Sequence, residues 1–271
     1  MTSGAQRTCL IQFCNINSLK NKIQQLRTSL LFSKRTVFVS LVETHLDPGK
    51  DHCPNIEKFG SHNFPYRARS SGVCAYTSNS IGAKQLPDCQ LSEDGNMCIG
   101  MQVKLFGHLV VNVVSVYLRP DAPRAVVQRV LSPLQILAEL PTPLLVLGDF
   151  NGRHPQLEPN NFKARPNVIG RYLLDYASDL SLTILNLRDC LGICTRESSV
   201  LDLALTNAPE LFALRIDKLP LLSDHASLTI IVSNPHIQRA GPRETVLPPR
   251  YATAKADWDQ YHNLTQSAMP P

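Results

Sequence analysis

The sequence predicts an α/β domain, because apolar runs of strand length alternate with segments of helical periodicity from about residue 8 to residue 233. Two further observations shape that prediction. Several strand-like runs end in a carboxylate, an amide or a tyrosine, and no linker or internal repeat interrupts the pattern before about residue 234. One domain over residues 1–234 is therefore expected, followed by an extended tail over 235–271. With 271 residues, 43% of them hydrophobic, the chain can bury a sizeable core.

The first run, TCLIQFC, leads to Asn15 and Asn17. Leu19, Ile23, Leu26 and Leu30 then recur at helical spacing behind Ser18, a candidate N-cap. Val37 to Val42 is β-branched and apolar and stops at Glu43. Gly72 to Thr77 and Met97 to Val103 carry further strand signals, and Leu109 to Val116 is a long apolar run ending at Tyr117. From Asp121 to Leu140 the period is helical, and Pro133 divides the segment because it lacks a donor and crowds the preceding turn. Leu144 to Leu147 reads as a strand covered on both faces. Gly148 is expected to let the backbone turn, and side-chain alternation sets Asp149 and Asn151 on one side of the extended chain. Asp, Asn and Gly also dominate ordinary turns, so this segment alone fits turn chemistry equally well. A helix is predicted over about Gly170 to Leu180, and strands near Leu182 to Leu187, Val200 to Thr206 and Ala226 to Val232.

The charge balance of 27 basic to 22 acidic side chains, +5 overall, permits a phosphate-bearing partner without requiring one. Clusters at Lys20, Lys22 and Arg27, at Lys34 and Arg35, at Arg67 and Arg69, and at Lys163 and Arg165 support that partner, although each also suits a solvated face. No apolar run approaches the roughly 18 to 20 residues of a membrane span, and MTSGAQRT lacks the apolar core of a signal peptide, so neither membrane insertion nor export is expected. The eight cysteines show no CxxC or Cys/His cluster; buried free thiols in a reducing compartment, without structural zinc, are the expectation. Beyond Ser233 the composition turns to Pro, Arg, Thr and Gln, and only KADWDQYHNL, with Trp258 and Tyr261, reads as a helix in need of a partner. The Met269-Pro270-Pro271 end reads as a chain cut from something longer.

The strand exits share one chemical theme: Asn15 and Asn17, Glu43, Tyr117, Asp149 and Asn151, Asp202, and Ser223-Asp224-His225. Hydrolysis of a phosphodiester needs these types, since water must be oriented and deprotonated, charge on phosphorus stabilised and the leaving oxygen neutralised. Carboxylate and amide oxygens are hard ligands suited to Mg²⁺, with Glu43 the foremost candidate and Asn15 beside it.

The ordered set CNINS, VETHL, SVYLRP, LGDFNGRHP, SVLDLAL and LSDHA resembles the endonuclease/exonuclease/phosphatase superfamily, which includes the deoxyribonuclease I and exonuclease III type enzymes, over roughly residues 8 to 233. Within it, GDFNGRHP and SVLDLALTN are similar to the apurinic-type endonuclease domain of non-LTR (LINE-type) retrotransposons, and ADWDQY resembles the connector that precedes their reverse transcriptase. The resemblance implies a deoxyribonuclease I-like four-layer α/β sandwich, two packed mixed β-sheets flanked by helices. It implies a Mg²⁺-dependent endonuclease, with Mn²⁺ as a substitute, that nicks one strand of duplex DNA to leave a 3′-hydroxyl for target-primed reverse transcription. Duplex DNA and the reverse transcriptase portion of the same polyprotein are the implied partners, for a monomer made in the cytoplasm and acting in the nucleus.

Carried onto this sequence, the resemblance implies that Glu43 binds the metal with Asn15 and Asn17, and that Asp224 approaches it through water. Asp149 orients or deprotonates the attacking water and Asn151 holds the phosphate. His225, oriented by Asp202, stabilises the phosphorane charge, Tyr117 donates to a phosphate or leaving oxygen, and Ser223 holds the neighbouring loop. Asp149 and His225 are both candidates for the general base. DNA contacts are expected from Arg67, Arg69, Arg119, Arg153, His154, Thr195 and Arg196. The sequence departs from its relatives in QLEPNNF, which lacks a Trp-Gly after GRHP, and in Ser71-Gly72, where a glycine pair is usual; both affect loop geometry. Three alternatives remain: an abasic-site repair nuclease, which would strongly prefer abasic duplex; a phosphodiesterase of inositol phosphates or sphingolipids; and a silent DNA- or partner-binding module, which would bind without metal-dependent nicking.

Overall fold

The apolar runs fold as strands of two six-stranded sheets. The computed structural model describes residues 8–29, 33–47, 50–64, 71–161, 163–218 and 223–234. In chain order the elements are β1 (Thr8–Asn15), α1 (Leu19–Thr28), β2 (Thr36–Val42), β3 (Phe59–Phe64), β4 (Val73–Ser78), β5 (Gly82–Glu93), β6 (Asn96–Leu105) and β7 (Leu109–Tyr117). There follow α2 (Arg124–Leu131), α3 (Pro133–Glu139), β8 (Leu144–Asp149), α4 (Val168–Asp179), β9 (Thr183–Ile184), α5 (Leu185–Asp189), β10 (Asp202–Thr206), β11 (Phe212–Asp217) and β12 (Ser227–Ser233).

One sheet runs β11-β12-β1-β2-β4-β3 and the other β5-β6-β7-β8-β10-β9. Each has a parallel pair at its centre, β1 with β2 and β7 with β8, flanked by antiparallel neighbours. Period-two alternation sorts the central residues into layers. Ile11, Phe13, Phe38, Val113, Leu145, Leu147 and Ile230 meet in the core between the sheets. On the outer faces, Ile16, Leu19 and Leu26 of the α1 region cover one sheet with Cys14 and Leu41, and Val127, Leu131 and Leu173 of α2 and α4 cover the other with Val114 and Val146. The layers are thus helix, sheet, sheet, helices, the deoxyribonuclease I-like sandwich that the resemblance implies. Within the inner layer, Ser40 Oγ on β2 donates to Ser115 Oγ on β7 at 2.6 Å.

Several expectations are corrected. Ser18 precedes α1 with φ 81° and makes no side-chain cap; its backbone N–H donates instead to Glu43 O. Leu182 to Leu187 is not a continuous strand: pairing stops at Ile184 and Leu185 opens α5, because Asn186 turns in to bond the backbone of β10. β3, β5 and β11 lack a continuous apolar signal; β5 is an edge strand with an irregularity between Gln85 and Gln90 that accommodates Pro87. Cys53 and Cys74 form a disulfide, against the expectation of free thiols throughout; a loop and a strand 21 residues apart bring them together, and the spacing alone carries no signal. Burial pushes the Cys9 and Cys14 thiols up to about 12, so they stay protonated. Among the described residues no helix is long and apolar enough to cross a membrane. The tail over 235–271, with the ADWDQY segment, lies outside the described residues.

Candidate active site

The inward-facing row that forms the core ends in polar residues. Asn15 continues the alternation of Cys9, Ile11 and Phe13, Tyr117 that of Val111 and Val113, and Asp149 that of Leu145 and Leu147. Strand register aligns three of the side chains: Tyr117 pairs with Asp149 across β7 and β8, and Asp149 with Asp202 across β8 and β10. Asn15 faces them from the other sheet and donates through Nδ2 to Asp149 Oδ2 at 2.9 Å. Asn15 and Asp202 are 0% exposed, Asp149 1% and His225 3%, so the site is the polar lid of the hydrophobic core.

Gly148 is needed for closeness, not for turning. A Cβ there would lie 2.6 Å from Val116 O, so only glycine lets β8 approach β7 next to Asp149. The turn comes later, at Asn151, whose φ is 49°. Its backbone N–H donates to Asp149 Oδ1 at 3.1 Å, an Asx turn, so turn chemistry and site chemistry use the same carboxylate. The same device closes two other exits: Asn17 N donates to Asn15 Oδ1 at 3.1 Å and His225 N to Ser223 Oγ at 3.2 Å. Glu43 and Asn17 also have positive φ, 51° and 43°. Non-glycine residues held this way cluster where surrounding structure over-determines them, commonly at sites.

His225 is held between two acids. Asp202 Oδ2 accepts from its Nδ1–H at 2.8 Å, and Nε2 lies 4.0 Å from Asp149 Oδ2. Burial pulls the imidazole down, but the hydrogen bond and charge of Asp202, with Asp149 and Asp224, outweigh it and hold His225 above its ordinary value. Burial, reinforced by the charge of Asp202 and opposed by His225 and Asn15, pushes Asp149 up to about 8. Burial, then the charge of Glu43 and a hydrogen bond with it, holds the Tyr117 hydroxyl well above the ordinary phenol range. A buried phenol that keeps its proton is a donor at neutral pH.

Two donor sets are candidates for a hard divalent cation. Asp149, Asp202 and His225 present ligand atoms that all lie within 4.8 Å of one another. Asp202 is fully buried and its Oδ2 is engaged by His225, so a cation at this cluster competes with that pair; Asp202 Oδ1 has no hydrogen-bond partner among the described residues. Glu43, its side chain 20% exposed and within charge reach of Asp149 and Tyr117, offers a more open carboxylate beside Asn15. The Glu43 set, all oxygen, fits Mg²⁺ by donor chemistry and leaves room for the waters that Mg²⁺ keeps, whereas the other set includes an imidazole whose raised basicity favours a proton over a metal.

Not every expected residue joins the cluster. Asn17 is exposed, and only its backbone reaches Asn15. Asp224 turns to the rim, where Arg196 Nη2 meets its carboxylate at 2.8 Å; burial raises it, but Arg196 and His225 bring it below the usual carboxylate value. Asn151 donates through Nδ2 to Leu118 O at 2.8 Å. Thr195 is corrected from a DNA contact to a support: it is 2% exposed, and its Oγ1 accepts from the N–H groups of Leu201 and Asp202 at 2.9 and 3.0 Å. Arg153 is exposed and Arg196 half-exposed. Arg119 pairs with Asp121, and His154 Nδ1 accepts from Gln156 N within its own loop. Arg67 and Arg69 lie outside the described residues. The sequence reading missed Asn167, which caps α4 and clamps the GRHP loop: its Oδ1 accepts from Gly170 N and Arg153 N, and its Nδ2 donates to Asn151 O. Its signal was available as an Asn at a helix start.

The sequence model of a family described as "Endonuclease-reverse transcriptase" matches residues 111–229. No curated relative matches the chain. Among solved structures, the endonuclease domain of TRAS1, a telomere-specific non-LTR retrotransposon, superposes with a TM-score of 0.62 at 14% identity, covering 83% of this chain and 98% of that one. A 3′-5′ exonuclease from Neisseria meningitidis gives 0.64 at 18% identity over 83% of this chain and 100% of its own. An AP endonuclease from Archaeoglobus fulgidus gives 0.61 at 15% identity over 83% and 99%. At such identities the likeness shows the fold, a sandwich of the deoxyribonuclease I type, and the matched sequence model covers its later part, from β7 into β12.

Proposed function

We propose that this chain is the endonuclease of a non-LTR retrotransposon and nicks one strand of duplex DNA, leaving a 3′-hydroxyl from which the reverse transcriptase of the same polyprotein primes. The observation that carries this reading is the buried row Asp202, His225, Asp149 with Asn15 and Tyr117 around it. Residues 1–234 are then the endonuclease domain and 235–271 the connector, working as a monomer on nuclear DNA.

Asp202, by accepting from Nδ1–H, fixes the imidazole so that Nε2 faces the space beside Asp149. A charged His225 there stabilises negative charge on the attacked phosphate, and Asp149, raised in basicity by burial, takes the proton of the attacking water. Asn15 orients that carboxylate, Asn151 donates to the phosphate, and Tyr117 donates to a phosphate or leaving oxygen. Glu43 and Asn15 would hold Mg²⁺, or Mn²⁺ in its place, with Asn17 and Asp224 no closer than through water. When bound, the ion supplies positive charge to non-bridging and leaving oxygens. Arg153, Arg196 and Arg119 at the rim, with His154, Arg67 and Arg69, are the proposed backbone contacts.

The likeness to an AP endonuclease supports a second reading, repair of abasic DNA, with the same residues in the same roles. Plasmid nicking with Mg²⁺ and with EDTA, alongside a defined abasic duplex, separates the two. Metal-dependent nicks with 3′-hydroxyl ends on intact plasmid support the retrotransposon reading. A preference for the abasic duplex by several orders of magnitude supports repair, and cleavage of neither would falsify both.

A further inference from the structure

The strands that end at the candidate active site begin at a surface of different character. β2 starts at Thr36 and spans roughly 20 Å to Val42 at about 3.3 Å per residue, and α1 runs the same way in reverse, from Leu19 beside the site to Arg27 in its last turn. There a groove of about 560 Å³ is lined by Arg27, Lys34, Lys58, Phe59, Ser33 and Ser78, among others. Arg27, Lys34 and Lys58 are exposed. Arg27 makes one hydrogen bond, to Asn55 O at 3.3 Å, and neither it nor Lys34 has an acidic partner among the described residues. Among the described residues the lining holds a single carboxylate, Glu57, 3.8 Å from Lys58 Nζ and 89% exposed.

Lys58 is the second signal. It stands in the left-handed region, φ 68°, at a tight turn closed by Phe59 N donating to Ile56 O at 3.1 Å, a position that glycine or asparagine fills at lower cost. Its side chain is 82% exposed, so the ammonium group stands free of the core at the groove's rim.

We propose that this groove binds a single strand of nucleic acid, with Arg27, Lys34 and Lys58 pairing successive backbone phosphates and Phe59 forming the apolar wall against which a base lies. Three cations around one groove suit a strand that threads it, whereas the phosphates of a duplex lie across a wide, convex surface. Sequence-tolerant strand binding elsewhere combines the same two elements, a basic track and an aromatic wall. The groove is separate from the candidate active site, so the chain can hold a strand while its other end engages duplex.

The test is fluorescence anisotropy of the full chain with labelled single-stranded RNA, single-stranded DNA and duplex DNA, in EDTA over a range of salt. Because no cleavage is read, the result is independent of the nuclease proposal. The variant R27A/K34A/K58A is expected to lose at least tenfold in affinity for a single strand, with the salt slope falling by about 0.7 for each phosphate contact removed. K34R/K58R keeps the charge and is expected to keep the affinity. K84A/R171A, which removes exposed charge on β5 and α4, is expected to leave binding within twofold. The RNA and DNA arms show which sugar is preferred, and either preference supports the groove. Unchanged single-strand affinity in the triple variant overturns the proposal. So does an equal loss in K84A/R171A, or an equal loss of duplex binding in the triple variant, since both reduce the effect to net charge.

Discussion

β2 carries Thr36 at one end and Val42, beside Glu43, at the other, and the two ends of the sandwich handle charge in opposite ways. At the Glu43 end Asp149, Asp202 and His225 are buried, register aligns the two aspartates, and burial and neighbouring charge shift Asp149 and His225 from their ordinary protonation. At the Thr36 end the cations stand in water and largely lack partners. Burial supplies basicity and oriented donors, which suits bond breaking; exposure supplies long-range attraction, which suits holding a polyanion. One sandwich of strands thus separates chemistry from grip by placing them at opposite ends.

The largest effect that sharpens this contrast is catalytic. Asp149→Ala and His225→Ala should each lower plasmid nicking by about 10²-fold to 10⁴-fold, the usual worth of a positioned acid or base, while the distal variant R27A/K34A/K58A leaves the nicking rate of a short duplex unchanged. Equal rates for Asp149→Ala and wild type would break the comparison at its chemical end. Next comes the core that the two ends share. Phe13→Ala, fully buried between the sheets, should cost about 3–5 kcal/mol by urea unfolding. Gly148→Ala should cost about 1–3 kcal/mol, since its Cβ meets Val116 O, and should also slow nicking because Asp149 follows it. A smaller loss, about 1 kcal/mol, is expected of Asn167→Ala, from the missing cap on α4.

The pH dependence of stability distinguishes the ends as well. Asp149 binds its proton more tightly in the folded chain than in the unfolded one, so its contribution falls as pH rises from about 4 towards about 8. His225 acts in the same direction: its contribution is complete below about 6.5 and is lost as pH rises through its raised folded value. Unfolding free energy in EDTA should therefore decline across this window, and Asp149→Asn should flatten the decline. An unaltered slope in that variant places the titration elsewhere.

The central strands and the site were legible in the sequence for one reason. Inward-facing residues repeat every second position, so a polar residue in phase with a buried run, such as Asp149 after Leu145 and Leu147, announces a site at the strand exit. β3, β5 and β11 escaped because exposed or irregular strands need not alternate cleanly, as GAKQLPDCQLSE shows. Thr195 was misread for a related reason: a hydroxyl in a polar loop looks like a ligand contact, and only the fold reveals it turned inward to the backbone ahead of Asp202. The distal groove draws Arg27, Lys34 and Lys58 from three separate stretches, and no local pattern joins them.

The hydrogen bond between Ser40 and Ser115 has a mechanical meaning. The site is assembled across a seam, with Asn15 and Glu43 on one slab and Tyr117, Asp149 and Asp202 on the other, and hydrocarbon surfaces alone resist sliding weakly. A hydroxyl pair set three residues before Glu43 and two before Tyr117 works as a dowel, fixing how far one slab can shear over the other. Catalytic alignment in this architecture is then a property of the joint between halves, and it can fail by slippage in a protein that remains fully folded.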